Sequence, residues 1–103
     1  MITLALLALL QAAPVAAEEE ITVMGRRMAA LSVILGRDAK GKLACNLSES
    51  SGDHGVDAQL CKTAAGCFRQ GAVAAEPMRT CIEARKPAIL EDFAARVCAR
   101  EAA

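Results

Sequence analysis

The first pattern along the chain is an uncharged apolar run from Leu4 to Leu10, followed by Gln11, Pro14 and small residues up to Ala17. Glu18, Glu19 and Glu20 then switch the composition abruptly. This order is that of a secretory signal peptide, with Val15, Ala16 and Ala17 supplying the small residues a signal peptidase accepts and cleavage expected after Ala17. The run stops short of the ~20 apolar residues that a membrane span needs, so no stable span is expected after cleavage. No Lys or Arg lies near Met1, which departs from the usual leader. Ile21-Thr22-Val23 alternates after the acidic residues and reads as a short strand or an extended arm, which makes residues 18–29 an N-terminal arm.

Two period-2 stretches follow. Leu31, Val33 and Leu35 share one face, and Leu43, Cys45 and Leu47 repeat the pattern after the Gly-bounded polar stretch 36–42. Such a pair predicts a β-hairpin with Cys45 on the same face as Leu43 and Leu47. Asp53 or Ser51 can cap a helix over about His54 to Cys67, along which Val56, Leu60 and Ala64 recur every four residues. Beyond Gly71, Pro77 suits a first helical turn, and Met78, Cys81 and Ile82 form a stripe. Pro87 opens a further helix with rows Ile89, Phe93, Val97 and Leu90, Ala94, Cys98, and a helical hairpin folding back near Lys86-Pro87 is expected. The fold class is therefore α+β: an antiparallel β-hairpin packed by three short helices, stapled by disulfides, over residues 30–103.

Composition sharpens the compartment. Of 103 residues 54% are hydrophobic, but only two are Phe, with no Trp or Tyr. All five Cys lie beyond the leader. An exported domain of this size draws only about 3–5 kcal/mol from its core and usually adds disulfides, so the cysteines read as structural and the location as periplasmic or secreted. Twelve acidic residues balance twelve basic ones. That balance gives no electrostatic drive toward nucleic acid.

Geometry orders the cysteine pairings. Cys45 faces the helix that must cover the hairpin, so it pairs with Cys61. Cys61 and Cys67 are six residues apart, about 240° around a helix, and so need different partners. If the chain folds back at Pro87, Cys98 lies about 7 Å past the level of Cys81, beyond the roughly 4.4–6.8 Å that a relaxed bridge wants between Cα atoms. Cys67 with Cys81 is the second expected bridge. Cys98, in the row with Leu90 and Ala94, is left as a buried free thiol.

Reactive constellations are scarce. His54 is the only imidazole; Asp57 and Cys61 follow one and two turns on, but an oxidised thiol is neither a metal ligand nor a nucleophile. The spacing of Cys61 and Cys67 lacks the C-x-x-C redox motif. No catalytic residue, metal or cofactor is expected. The charged segment Glu18 to Arg27 reads as a solvated end or as an arm that pairs with a strand edge on a partner.

Residues Val33 to Cys61, with their Gly-containing turn, Ser50-Ser51-Gly52, the Val56-Asp57 pair, and Cys45 and Cys61 in strand and helix, resemble the strand-turn-strand-helix of TonB energy-transducer C-terminal domains. The match covers less than a third of the chain. It ends where that family continues into further strands, since Cys67 onward reads as helical. Glu20 to Arg26 is similar to the box near the mature N-terminus of TonB-dependent outer-membrane receptors, with Met24 where Thr is commoner. The resemblance implies a Gram-negative periplasmic setting. The expected function is that of a noncatalytic interaction or envelope-accessory protein with a protein partner in the cell envelope. The alternatives are a small thiol-redox or His54-dependent enzyme, or a secreted inhibitor presenting Ser48 to Gly55.

Overall fold

The computed structural model describes the backbone of residues 2–102 and the side chains of residues 16–102, so the side chains of the apolar run Leu4–Leu10 lie outside the described ones. Helix α1 (Ile2–Ala30) leads into strands β1 (Val33–Arg37) and β2 (Leu43–Leu47), then helices α2 (His54–Arg69) and α3 (Ala75–Ala102). The α+β class, a two-stranded antiparallel hairpin with three helices and two disulfides, is the observed one. The helices are differently drawn from the chain than expected.

In the hairpin Val33 stands opposite Leu47, Leu35 opposite Cys45 and Arg37 opposite Leu43. Alternation therefore gathers Val33, Leu35, Leu43, Cys45 and Leu47 on one face, which lies on α2, and leaves Ile34 and Ala44 on the other. Asp38 organises the turn: its Oδ1 accepts from the main-chain N–H of Lys40 at 2.9 Å and of Lys42 at 3.0 Å. Gly41 supplies the positive φ of 81° that the reversal requires.

Helix α2 begins where its cap allows. Asp53 Oδ2 accepts from the Val56 N–H at 2.9 Å, satisfying one of the free first-turn donors. Val56, Leu60, Ala64 and Cys67 then line a fully buried stripe. The helix ends in a left-handed Gly71, φ 99°, with the Ala72 N–H on the Cys67 carbonyl and the Gly71 N–H on that of Phe68.

The expected fold-back at Pro87 is corrected: α3 runs unbroken through it. An internal proline costs about 3 kcal/mol through its missing N–H and its clash with the preceding turn. Along the same helix Met78, Ile82, Ile89, Phe93 and Val97 are all buried. At about 1.5–3 kcal/mol for each large side chain, that stripe outweighs the proline.

The expected arm over 18–29 is also corrected, because these residues are helical and part of the core. Ala17, Ile21, Met24, Met28 and Leu31 recur at helical spacing, and all but the partly buried Ile21 are buried against α3 and α2 together with Leu60, Phe93 and Val97. The Lys86 ammonium ties the end of α1 to α3, donating to the carbonyls of Met28 at 2.7 Å and Leu31 at 3.3 Å and to Glu83 at 2.8 Å. Among the described residues no helix is long and apolar enough to cross a membrane.

Candidate functional site

Both expected bridges form. Cys45 and Cys61 join β2 to α2 with Cα atoms 5.7 Å apart, and Cys67 and Cys81 join α2 to α3 at 6.0 Å. The continuous α3 gives a different reason for the second pairing than a fold-back would. Cys81 and Cys98 stand on one helix, about 25 Å apart along its axis, and cannot meet. Cys98 is indeed unpaired, but it is exposed, not buried. The buried row of α3 passes through Phe93 and Val97, and Cys98 lies about 100° further round.

The residues weighed for chemistry are dispersed or committed. His54 is exposed at the start of α2, and the Cys61 sulfur beyond it is in a disulfide. Asp57 serves the loop: it accepts from the Ser50 hydroxyl at 2.6 Å, the Ser51 hydroxyl at 2.6 Å and the Ser51 N–H at 2.9 Å. Ser51 is fully buried, so the centre of the Ser48 to Gly55 segment is anchored within the fold. Arg27 donates to the Ser51 carbonyl at 3.1 Å, and Arg96 pairs with Asp53 at 3.1 Å. Gly52 has φ 94°, and a Cβ there would meet the Arg27 guanidinium at 2.5 Å.

This network makes the loop acid-sensitive. The Arg96 guanidinium, helped by the Val56 N–H, holds the Asp53 carboxyl below its ordinary value of 3.8. Burial pushes Asp57 the other way, but the hydrogen bonds from Ser50 and Ser51 outweigh it and its carboxyl is also lowered. A carboxyl lowered in the folded state adds stability above its unfolded value, and that stability is lost as pH falls through the folded value. Melting temperatures should therefore fall as the pH drops below the ordinary carboxylate range, near 3.8. Asp57→Asn should lower stability at neutral pH by about 1.5–3 kcal/mol and flatten that acid limb. A variant as stable as the parent at pH 7, with the same acid limb, would contradict the role given to Asp57.

A predominantly apolar groove lies elsewhere, between β1 and the first half of α3. Leu31 to Leu35 form one wall, Met78, Ile82 and Lys86 the other, and Phe68 and Val73 close one end around a volume of about 490 Å³. That volume is within the usual range for ligand sites, ~300–1,000 Å³. Ile34 and Val73, both lining the groove, are 56% and 62% exposed. Sequence reading passed over them, although an Ile on the polar face of a hairpin and a Val just after a helix-ending Gly are signals of apolar surface left uncovered. Comparison with protein-family models, curated proteins and solved structures finds no match.

Proposed function

We propose that the chain is a noncatalytic accessory protein of the cell envelope, periplasmic or secreted, that acts by binding another protein. The observation that carries this reading is the apolar groove beside β1, where Ile34 and Val73 stand uncovered. The two disulfides fit an oxidising compartment. The resemblance of Val33 to Cys61 to TonB energy-transducer C-terminal domains fits a Gram-negative periplasm and is taken no further.

A photo-crosslinking residue placed at Ile34 or Val73 of the exported chain tests the reading. Both positions should trap a protein in the envelope, whereas the same residue at Lys62 on the opposite side of α2 should not. His54→Ala and alkylation of the Cys98 thiol should leave the crosslinks unchanged. An envelope phenotype lost with His54→Ala or with Cys98 alkylation, crosslinks intact, would favour an enzyme instead.

A further inference from the structure

We propose that the end of the molecule formed by the hairpin turn, the last turn of α2 and the start of α3 rests on the surface of an anionic phospholipid bilayer, with Val73 and Leu43 set into the headgroup layer. This adds a lipid contact to the protein-binding reading and does not depend on it. The first support is where the fold puts the charges of a chain whose acids and bases cancel. Strand β1 runs toward the carboxyl end of α2, since Leu35 packs against the cluster of Ala64 and Cys67, and the Arg37 guanidinium lies over the Phe68 ring, 5.7 Å from its centre. The hairpin turn therefore stands beside Arg69 and the connection into α3, where Phe68, Val73 and Arg79 line one end of the groove. Arg37, Lys40, Lys42, Arg69 and Arg79 are all exposed there, against the acids Asp38 and Glu76. Much of the compensating charge, Glu18, Glu19, Glu20, Glu91, Asp92 and Glu101, lies on α1 and the second half of α3.

Few of these cations are neutralised within the fold. Arg37, Lys40, Lys42 and Arg69 have no carboxylate partner among the described residues. The Arg37 guanidinium donates instead to the Gly41 carbonyl at 2.7 Å, and Asp38 Oδ1 is taken up by the main-chain N–H groups of Lys40 and Lys42. Arg79 pairs with Glu76, but with both side chains mostly exposed the pair is weak. A neutral chain is thus basic at one end, and each Lys or Arg held near an anionic leaflet strengthens attachment to it. Apolar side chains are the second support. Val73, 62% exposed, is the most exposed large apolar residue described, and Leu43 beside the turn is also exposed. Apolar side chains ringed by cations match a surface that is anionic at its top and apolar beneath. A nucleic acid would leave Val73 and Leu43 unmatched and favours rings on which bases stack, whereas Phe68, the ring at this end, already carries Arg37.

The chain has no Trp, so Val73→Trp places a single fluorophore at the proposed contact. The exported chain with both bridges intact is titrated with vesicles of mixed phosphatidylglycerol and phosphatidylcholine, and with vesicles of phosphatidylcholine alone. The Trp emission should shift to the blue with the first and not with the second, and the shift should vanish at about 1 M salt, where charges are screened within ~3 Å. Sedimentation of the parent chain with the anionic vesicles should show the same preference without the reporter. Lys40→Gln together with Lys42→Gln should raise the lipid concentration at half-shift roughly thirtyfold, the effect of two basic residues near an anionic surface. Both side chains are exposed and hold the turn only through main-chain N–H groups, so the fold is kept. Arg26→Gln, on α1, should change nothing. An equal shift with both kinds of vesicle, or an unchanged titration in the double variant, would overturn the role given to charge and the proposal with it. Sedimentation with vesicles and no Trp shift would show that another part of the chain makes the contact. Tighter binding to a DNA duplex at the same salt would reject the lipid in favour of nucleic acid. None of these outcomes bears on the protein partner, which stands or falls with the crosslinks at Ile34 and Val73.

Discussion

Protein lacking both disulfides should not fold cooperatively at room temperature. The Cys45 to Cys61 bridge spans 16 residues and the Cys67 to Cys81 bridge 14. Closing loops of that length contributes about 3 kcal/mol each in the chain-entropy model, so the pair supplies about 6 kcal/mol. The total net stability of a domain this size, bridges included, is about 0.05–0.15 kcal/mol per residue, which is of the same order as that contribution. The second bridge also lies in the core, since Cys67 is fully buried beside Ala64, Met78 and Ile82. Replacing Cys45 and Cys61 by Ala should leave a folded protein with a clearly lowered melting point. Replacing all four should leave no thermal transition in circular dichroism. A four-Ala variant that still melts sharply near the parent temperature would show that the helices and hairpin hold without staples.

Truncation at two points should have opposite results. A chain beginning at Glu18 keeps Met24, Met28 and Leu31 and, among the described residues, loses only Ala17 from the core. It should melt within a few degrees of the longer chain. A chain beginning at Leu31 also loses Met24, Met28 and the carbonyl of Met28 that holds Lys86. It would expose the faces of Leu60, Phe93 and Val97, of which Phe93 alone corresponds to about 3–5 kcal/mol when its contacts are removed. That chain should bind a hydrophobic dye and aggregate. If it stayed monomeric with a sharp transition, residues 18–30 would be an appendage and the core described for α1 would be wrong.

The helical role of residues 18–30 is legible in the spacing of their apolar positions. Ala17, Ile21, Met24, Met28 and Leu31 carry the helical spacing, while only Ile21 and Val23 carry the alternation. Val23 is 43% exposed and contributes little to the core. A three-residue alternation fits a strand or a helix equally, and a stripe of four turns does not. Pro87 is a different case. Proline biases the local backbone against a helix, and only the summed burial of Ile82, Ile89 and Phe93 against two neighbouring helices reverses the bias.

The features that local chemistry dictates could be read from the chain itself. The hairpin face shared by Leu35 and Cys45 follows from period-2 alternation, the Asp53 cap from the free donors of a first turn, and the Cys45 to Cys61 pairing from the directions those two elements impose on their side chains. Tertiary structure decided what depends on which surfaces meet. It carried α3 through Pro87, folded residues 18–30 onto α2 and α3, left Cys98 on the outside and opened the groove beside β1. Periodicity says which face of an element is apolar. How much of that face is covered, and whether an edge such as Val33 to Arg37 remains unpaired, is set by contacts between residues distant in the chain, whose burial energies exceed local backbone preferences.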